Sequence, residues 1–281
     1  MTSADVVTRA GRPGSTRPAG ALNRASAIGL GVTMTWFSLL VLIPLSAVVA
    51  TAAGGGIGAF WDAVTNEQTA DAIRLTVTSA LLVTVVNVFV GTAIAWVLVR
   101  DSFPGKALLE VLIDIPFALP TIVAGLVLLS LYGNDESPSG INVANTEASV
   151  FLAFLFVTLP FVVRTVQPVL EEIDVEIEEA AASLGASRFT TFTRIILPTL
   201  TPAIAAGATL SFARGVGEYG SLVLLSGNLP FTSEVASVRI LGAIENDNPA
   251  AAASIATLLL IVSLTVILLL DLLQRRVARR G

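Results

Sequence analysis

Residues 176–198 read EIEEAAASLGASRFTTFTRIILP and decide how the whole chain is interpreted. Glutamate and alanine are strong helix formers, so the first half of this stretch predicts a short surface helix. Gly185 stands where a helix end favours a residue that tolerates positive φ, and Ser187 can cap a new helix start. The stretch therefore predicts a short helix, a sharp turn and a second helix that runs into an apolar segment. Its small side chains would leave one helix face open to close approach by another protein.

The composition is typical of an integral membrane protein. Of the 281 residues, 54% are hydrophobic and 13% are charged, and the mean hydropathy is +0.83. Soluble domains carry about 25% charged residues. The chain has neither cysteine nor histidine, which excludes disulfides and thiolate metal sites and removes the commonest general base. It contains no Gly-x-x-x-x-Gly-Lys-Ser/Thr motif, so we expect it to bind no nucleotide and no cofactor itself.

Apolar runs long enough to cross a bilayer predict an all-α membrane protein with six transmembrane helices. Residues 1–25 form a basic tail that we expect to be disordered. Residues 26–52 predict an uncleaved first transmembrane helix, kinked at Pro44, because this run is longer than the core of a signal peptide. The other predicted spans are 75–99, 109–132, 148–168, 197–225 and 250–271. The third carries Pro116 and Pro120 and is predicted to be bent or broken at its start.

The lysines and arginines indicate the orientation in the membrane, since cytoplasmic loops carry an excess of them. Six spans place both termini on one side. Of the 16 basic residues, all except Arg74, Arg214 and Arg239 fall on that side. We therefore expect both termini and the segment 176–198 to face the cytoplasm.

The fifth predicted span holds a second group of candidate residues. Small residues recur every four positions on one face, which in lipid permits close helix packing: Ala203, Gly207, Ser211 and Gly215. The stretch FARGVGEYGSLVLLSGN follows at 212–228. Ionisable groups inside a span are expensive and mark functional candidates by default. Arg214 and Glu218, with Ser211 and Tyr219, are therefore candidates for the transport pathway or its gating. Simple mutual neutralisation of an i,i+4 ion pair is the alternative.

The spacing in residues 176–198 resembles the EAA motif of permease subunits of ATP-binding-cassette (ABC) importers. The matching residues are Glu179, Ala180, Ala181, Gly185, Ile195, Leu197 and Pro198. In that family the segment is the coupling helix, placed between spans four and five and seated in a groove of the ATPase subunit. The resemblance thus implies an ATPase contact at the first four of these residues and a re-entry into the membrane fixed by the last two. It also implies the type I importer permease fold over residues 70–275.

Three further stretches narrow the resemblance: 113–126, 159–173 and 214–228. They are similar to the T-type permease subunit of bacterial sulfate/thiosulfate importers and, less closely, to molybdate permeases. This similarity implies a multi-pass subunit of the bacterial inner membrane that is itself no enzyme. Its implied partners are a second, W-type permease, two copies of an ATPase that binds ATP and Mg, and an extracytoplasmic sulfate-binding protein, with no role for nucleic acid.

Three other functions stay open from the sequence. A molybdate or tungstate permease would share the same fold and most of the same motifs. A self-sufficient secondary transporter or channel would need internal repeats or intramembrane coupling-ion residues, which we do not find in the sequence. A membrane-embedded enzyme would have to work without histidine or cysteine.

Overall fold

The computed structural model describes residues 24–133 and 137–278. Most of the predicted basic tail lies outside these residues, as do Arg279 and Arg280. The described residues divide into two compact units, one up to residue 47 and one from residue 48 onward. The described residues contain helices and no strand. The helices are α1 Arg24–Phe37, α2 Ile43–Gly54, α3 Gly56–Thr65, α4 Glu67–Arg100, α5 Lys106–Ala118, α6 Thr121–Tyr132, α7 Glu147–Glu171, α8 Val175–Ser183, α9 Arg188–Thr191, α10 Leu197–Val216, α11 Gly220–Leu225, α12 Ala236–Glu245 and α13 Pro249–Ala278.

Five helical stretches are long and apolar enough to cross a membrane. They are Ser26–Gly54, Glu67–Arg100, Glu147–Glu171, Arg188–Val216 and Pro249–Arg276. A sixth candidate is the pair formed by α5 and α6, which is bent by 118° at the break between them. The described residues thus form a multi-pass, all-helical membrane protein with five apolar helices, or six if the bent pair is one span.

The break between α5 and α6 lies at Leu119 and Pro120, in the middle of the predicted third span. The prediction that the span breaks at its start is therefore wrong. Leu119 has an extended backbone (φ −87°, ψ 137°) because the ring of the following proline disfavours helical dihedrals there. Pro116 lies inside α5 and does not end it.

Two other prolines follow π-helical turns. Ser38–Leu42 precedes Pro44, and Phe192–Ile196 precedes Pro198. A proline cannot donate to the carbonyl four residues earlier, and its ring clashes with that carbonyl. In both cases that carbonyl lies inside the π-helical turn, whose wider winding accommodates the misfit.

The predicted fifth span also needs correction at both ends. The helix begins at Arg188, continues through the π-helical turn and ends at Val216 rather than at residue 225. Gly217–Tyr219 interrupt it before α11. A helix end at this depth is tolerated where the freed backbone groups are buried in protein, and here the carbonyl of Glu218 accepts a hydrogen bond from Ser237 Oγ at 2.7 Å.

Helices α4, α7 and α10 pack closely because glycines line their contacts. A Cβ atom added to Gly207 of α10 would lie 2.9 Å from Val162 Cα and would overlap the hydroxyl of Thr165. A Cβ at Gly91 of α4 would lie 2.9 Å from Val162 Cβ. The small-residue face predicted on the fifth span is therefore confirmed as a helix-packing face.

Candidate coupling segment and buried polar cluster

The segment 176–198 folds as its sequence predicts. α8 ends in a Schellman motif, in which Ala186 N donates to Ala181 O at 3.0 Å and Gly185 N donates to Ala182 O at 2.9 Å. Gly185 has φ +83°, a conformation that glycine adopts without steric cost. Ser187 then caps α9, because its Oγ accepts a hydrogen bond from Thr190 N at 3.2 Å.

The EAA-type residues of this segment differ in exposure. Glu179, Ala180 and Gly185 are exposed, as is Pro198, whereas Ile195 and Leu197 are half-buried. Ala181 is buried within this chain, with 8% of its surface exposed. The structure therefore assigns the Ala181 side chain to internal packing, and of the motif residues only the exposed ones are free to contact a partner directly.

Two exposed apolar side chains flank the turn and were missed from the sequence. Leu184 is 90% exposed and Phe189 is 75% exposed, and the apolar Val175 and Ile177 of α8 are also exposed. Contiguous exposed apolar surface marks an interaction site. The signal in the sequence was the presence of bulky apolar residues among the charged and small residues of a predicted surface turn.

The segment is joined to the end of α4 by one arginine. Arg100 Nη2 lies 2.8 Å from Glu178 Oε1 and donates a hydrogen bond to the carbonyl of Ile173 at 3.1 Å. The Arg100 guanidinium also lies 6.0 Å from the centre of the Trp96 ring, within cation–π range. Trp96 in turn makes an edge-to-face contact with Phe192, with ring centres 5.5 Å apart. Arg100 and Trp96 at the end of α4 thus contact α8 and the π-helical turn, respectively.

The second candidate site forms an i,i+4 ion pair. Arg214 Nη2 lies 2.6 Å from Glu218 Oε2, but the angle is not that of a hydrogen bond, so the contact is one of charge. The Glu218 side chain is fully buried, and the Arg214 side chain is 32% exposed. The other carboxylate oxygen, Oε1, accepts 2.9 Å hydrogen bonds from both the backbone N and the Oγ of Ser221. Glu218 therefore anchors the start of α11 and neutralises Arg214.

Ser211 and Tyr219 lie in different surroundings. Ser211 is buried and its Oγ accepts a hydrogen bond from Asn87 Nδ2 at 3.3 Å. Asn87 also donates to Thr158 Oγ1 at 2.7 Å, so this polar cluster connects α10, α4 and α7. Asn87 Oδ1 has no hydrogen-bond partner among the described residues. Tyr219 lines a cavity of about 300 Å³ beside α12. Asn87 and Thr158 were missed, because an asparagine or threonine in a long apolar run carries no distinguishing local pattern.

A third charged contact holds α5 against α7. Arg164 Nε donates to Asp114 Oδ1 at 2.8 Å and Nη2 donates to Oδ2 at 2.6 Å, which is the bidentate geometry that favours arginine over lysine. Arg164 Nη2 also donates to the carbonyl of Glu110 at 3.2 Å. One half of the bent pair is thereby fixed to α7. The other half, α6, packs on α11, where a Cβ at Gly125 would lie 2.8 Å from Ser221 Cα.

The chemistry available to these sites is that of charge contacts and helix packing. Across the residues that the structure describes, no group of three or more Asp and Glu side chains is arranged to hold a metal ion. The exposed turn offers a contact surface, and the ion pairs offer fixed connections between helices.

Residues 87–280 match the family described as "binding-protein-dependent transport system inner membrane component". This range covers more than half of the chain, which therefore belongs to that family. The family assignment made from the EAA-type spacing is confirmed.

Within the family, the chain is similar to sulfate permeases. It is 43% identical over 250 residues to the sulfate transport system permease protein CysT of Synechocystis sp., with 87% of each chain covered. It is 41% identical over 259 residues to the protein of the same name from Escherichia coli (strain K12), covering 90% of this chain and 94% of the relative.

Among solved structures, a bacterial alginate ABC transporter in complex with an alginate pentasaccharide-bound periplasmic protein has the same fold. The TM-score is 0.74 at 18% identity, with 90% of this chain and 94% of the other covered. A second structure of a bacterial ABC transporter that imports alginate gives a TM-score of 0.73 at 17% identity. At these identities the likeness shows the fold alone.

Proposed function

We propose that this chain is one permease subunit of an ATP-driven ABC importer for sulfate or thiosulfate. Identities of 41–43% to sulfate transport system permeases, over nearly the whole chain, carry the proposal. In this proposal the subunit lies in a bacterial inner membrane and pairs with a second, W-type permease. Two copies of an ATPase bind ATP and Mg on the cytoplasmic side, and a sulfate-binding protein delivers the anion from the other side.

Contacts at the two ends of the helices support a path with six spans. Glu178 follows α7, yet it contacts Arg100 at the end of α4. The end of α4 and the end of α7 therefore lie on the same side of the membrane. Since α7 itself is one crossing, this path needs one more crossing between α4 and α7, and the bent pair α5–α6 is the candidate for it. At the opposite end of α4, Gln68 Nε2 donates to Glu234 Oε2 at 2.6 Å, and Glu234 follows α10 and α11.

The basic residues orient this path with both termini in the cytoplasm. A cytoplasmic reporter fused after Arg280 is therefore expected to be active, and a periplasmic-type reporter at the same position is expected to be silent. The reverse result would contradict the six-span path.

The exposed turn at Gly185 is the proposed contact with the ATPase. Glu179, Ala180 and Gly185 present small or charged groups there, and Leu184 and Phe189 add exposed apolar surface. An apolar anchor beside small residues is suited to a groove on a partner protein. ATP-driven closure of the ATPases would then move α8 as a short rigid helix.

A gene deletion tests the substrate. Cells that lack this subunit are expected to lose growth on limiting sulfate and to keep growth on cysteine, while molybdenum-dependent enzymes stay active. Re-expression of the unmodified chain is the control and restores growth. Normal growth on limiting sulfate, in cells with no other sulfate importer, contradicts the proposal. Loss of molybdoenzyme activity alone would assign the subunit to molybdate instead.

A further inference from the structure

We propose that Arg100 is the positioning residue through which a displacement of α8 reaches the second membrane helix, α4. The proposal rests on the function proposed above and names one internal connection within it. Arg100 is the last residue of α4, and its guanidinium contacts Glu178, the Ile173 carbonyl and the Trp96 ring. Arg100 is therefore the point at which α4 contacts both α8 and the loop residues that lead into α8.

The packing around α8 explains why such a connection is needed. α8 has nine residues, and Ala181 is the buried one among them. An open groove of about 680 Å³ runs beside the segment, with Arg100, Glu178, Phe189 and Phe192 in its wall. Close-packed side chains transmit displacement well, whereas a gap does not. Packing alone therefore couples α8 to α4 weakly. The Arg100–Glu178 ion pair in the wall of the groove supplies a direct contact between the two helices.

The surroundings of the pair strengthen the contact between Arg100 and Glu178. The side chains of Arg100 and Glu178 are 15% and 27% exposed, so solvent screens them only partly. Arg100 lies at the C-terminal end of α4 and Glu178 lies in the first turn of α8, which are the helix ends that favour these charges. Arg100 also donates a hydrogen bond to the carbonyl of Ile173 before α8, whereas its contact with Glu178 inside α8 is one of charge, because Glu178 Oε1 accepts no hydrogen bond among the described residues.

Helix α4 then connects Arg100 to the centre of the helix bundle. The same helix carries Gly91, which packs on Val162 of α7, and Asn87, which donates hydrogen bonds to α7 and α10. Trp96, one turn before Arg100, contacts Phe192 in the π-helical turn that leads into α10. A movement of Arg100 is thus passed to the helices that form the membrane core.

The test measures sulfate taken up per ATP hydrolysed, using the complete importer in vesicles. The variants are Arg100→Gln and Glu178→Gln, and the control is Arg275→Gln, which removes an exposed ion pair of the same 2.8 Å length to Asp271. Loss of one connection in a coupling network is expected to lower uptake per ATP by about 2- to 30-fold. Co-purification of the ATPase is expected to stay normal in both variants, and the control is expected to match the unmodified importer.

A covalent link in place of the Arg100–Glu178 ion pair distinguishes the transmission of movement from a merely structural role. The chain has no native cysteine, so Arg100→Cys/Glu178→Cys introduces a unique thiol pair, to be assembled with cysteine-free partner subunits. Joining these thiols with a short bifunctional methanethiosulfonate reagent is expected to restore uptake per ATP, and reduction is expected to abolish it again. This double variant also decides the case in which Arg100→Gln fails to assemble.

Two results overturn the proposal. One is an unchanged ratio of uptake to hydrolysis in assembled Arg100→Gln complexes. The other is a cross-linked Cys pair that assembles but stays uncoupled. Neither result contradicts the proposed function. That function is contradicted separately, if the unmodified complex takes up no sulfate in the presence of ATP.

Discussion

The α4–α7–α10 core and the α8–α9 turn are built on opposite principles. In the core, glycines at 91 and 207 bring helix backbones together, and Asn87 links all three helices through Thr158 and Ser211. At the turn, Leu184, Gly185 and Phe189 are exposed, and an open groove lies between the segment and the end of α4 beside the Arg100–Glu178 contact. One region is packed by its own chain, and the other presents a surface that its own chain leaves open.

This difference in packing predicts which substitutions affect the folding of the subunit and which affect its binding to partner proteins. A substitution in the core meets neighbouring atoms of the same chain, so its effect is measured in stability. A substitution at the turn meets solvent in the isolated subunit, so its effect is measured in the complex. Each prediction below tests this separation, in order of decreasing effect on transport.

The largest effect is expected from Gly185→Asp. The Cβ atom of the new side chain meets no atom of the described residues within 4 Å, but the residue has to adopt φ +83° and adds a charge to the open surface. The strain of a left-handed non-glycine residue costs about 1–2 kcal/mol, which a folded subunit tolerates. We expect the permease to insert normally but to lose ATPase co-purification and sulfate uptake.

The matched control for Gly185→Asp is Gly140→Asp. Gly140 also has positive φ (+65°) and an open Cβ direction, but it lies in the loop before α7, at the other end of that helix. We expect this variant to keep the ATPase bound. If both variants, or neither, release the ATPase, the turn is not the contact.

The second effect concerns the Arg214–Glu218 pair. Arg214→Ala leaves a fully buried carboxylate without its cation, and removal of one partner from a buried pair costs about 3–5 kcal/mol. We expect a large loss of uptake and a lower melting temperature in detergent. In Arg214→Ala/Glu218→Ala the buried charge is gone, so stability is expected to recover.

Uptake by that double variant separates the two interpretations of the pair. If uptake stays low although the subunits assemble, the pair acts in the pathway or its gating. Recovery of uptake to the unmodified level would restrict the pair to mutual neutralisation, and the family assignment would be unaffected.

The third effect is expected in the core, from Gly207→Ala. Its methyl group would overlap the Thr165 hydroxyl and lie 2.9 Å from Val162 Cα, and overpacking of this kind costs about 1–3 kcal/mol. We expect a lower melting temperature and a proportionate loss of assembled complex. Gly242→Ala, with nothing within 4 Å of the new methyl, is the control and is expected to be neutral or slightly stabilising. Equal melting temperatures for the two variants would contradict the close approach of α7 and α10.

The smallest effects compare two threonines. Thr92 Oγ1 is buried without a hydrogen-bond partner in the described part of the chain, so Thr92→Val removes an unpaired hydroxyl and is expected to raise stability by up to about 1 kcal/mol. Thr158→Val instead removes the acceptor of the Asn87 amide and is expected to lower stability by about 1 kcal/mol. Thermal melting of both variants checks the opposite signs. Equal shifts would show that the Asn87 hydrogen bond contributes nothing to the stability of the core.

Predictions from the sequence were correct where the deciding interactions are local. Gly185 and Ser187 act within four residues of their partners in the Schellman motif and the helix cap, so a short stretch contains all the information. The break of the third span was placed wrongly because two prolines lie close together there. Pro116 is accommodated inside α5, whereas Pro120 ends it, and a proline pattern alone does not say which of two close prolines ends a helix.

By itself, the sequence determined the membrane class, the helical fold, the turn at Gly185 and the family, because composition and short spacings encode them. Only the tertiary structure decided which polar and charged side chains from distant parts of the chain meet. Arg100 and Glu178 are 78 positions apart, Arg164 and Asp114 are 50 apart, and Asn87 and Ser211 are 124 apart. Such pairs depend on how whole helices pack, and helix packing is set by the sum of many weak contacts rather than by any local pattern.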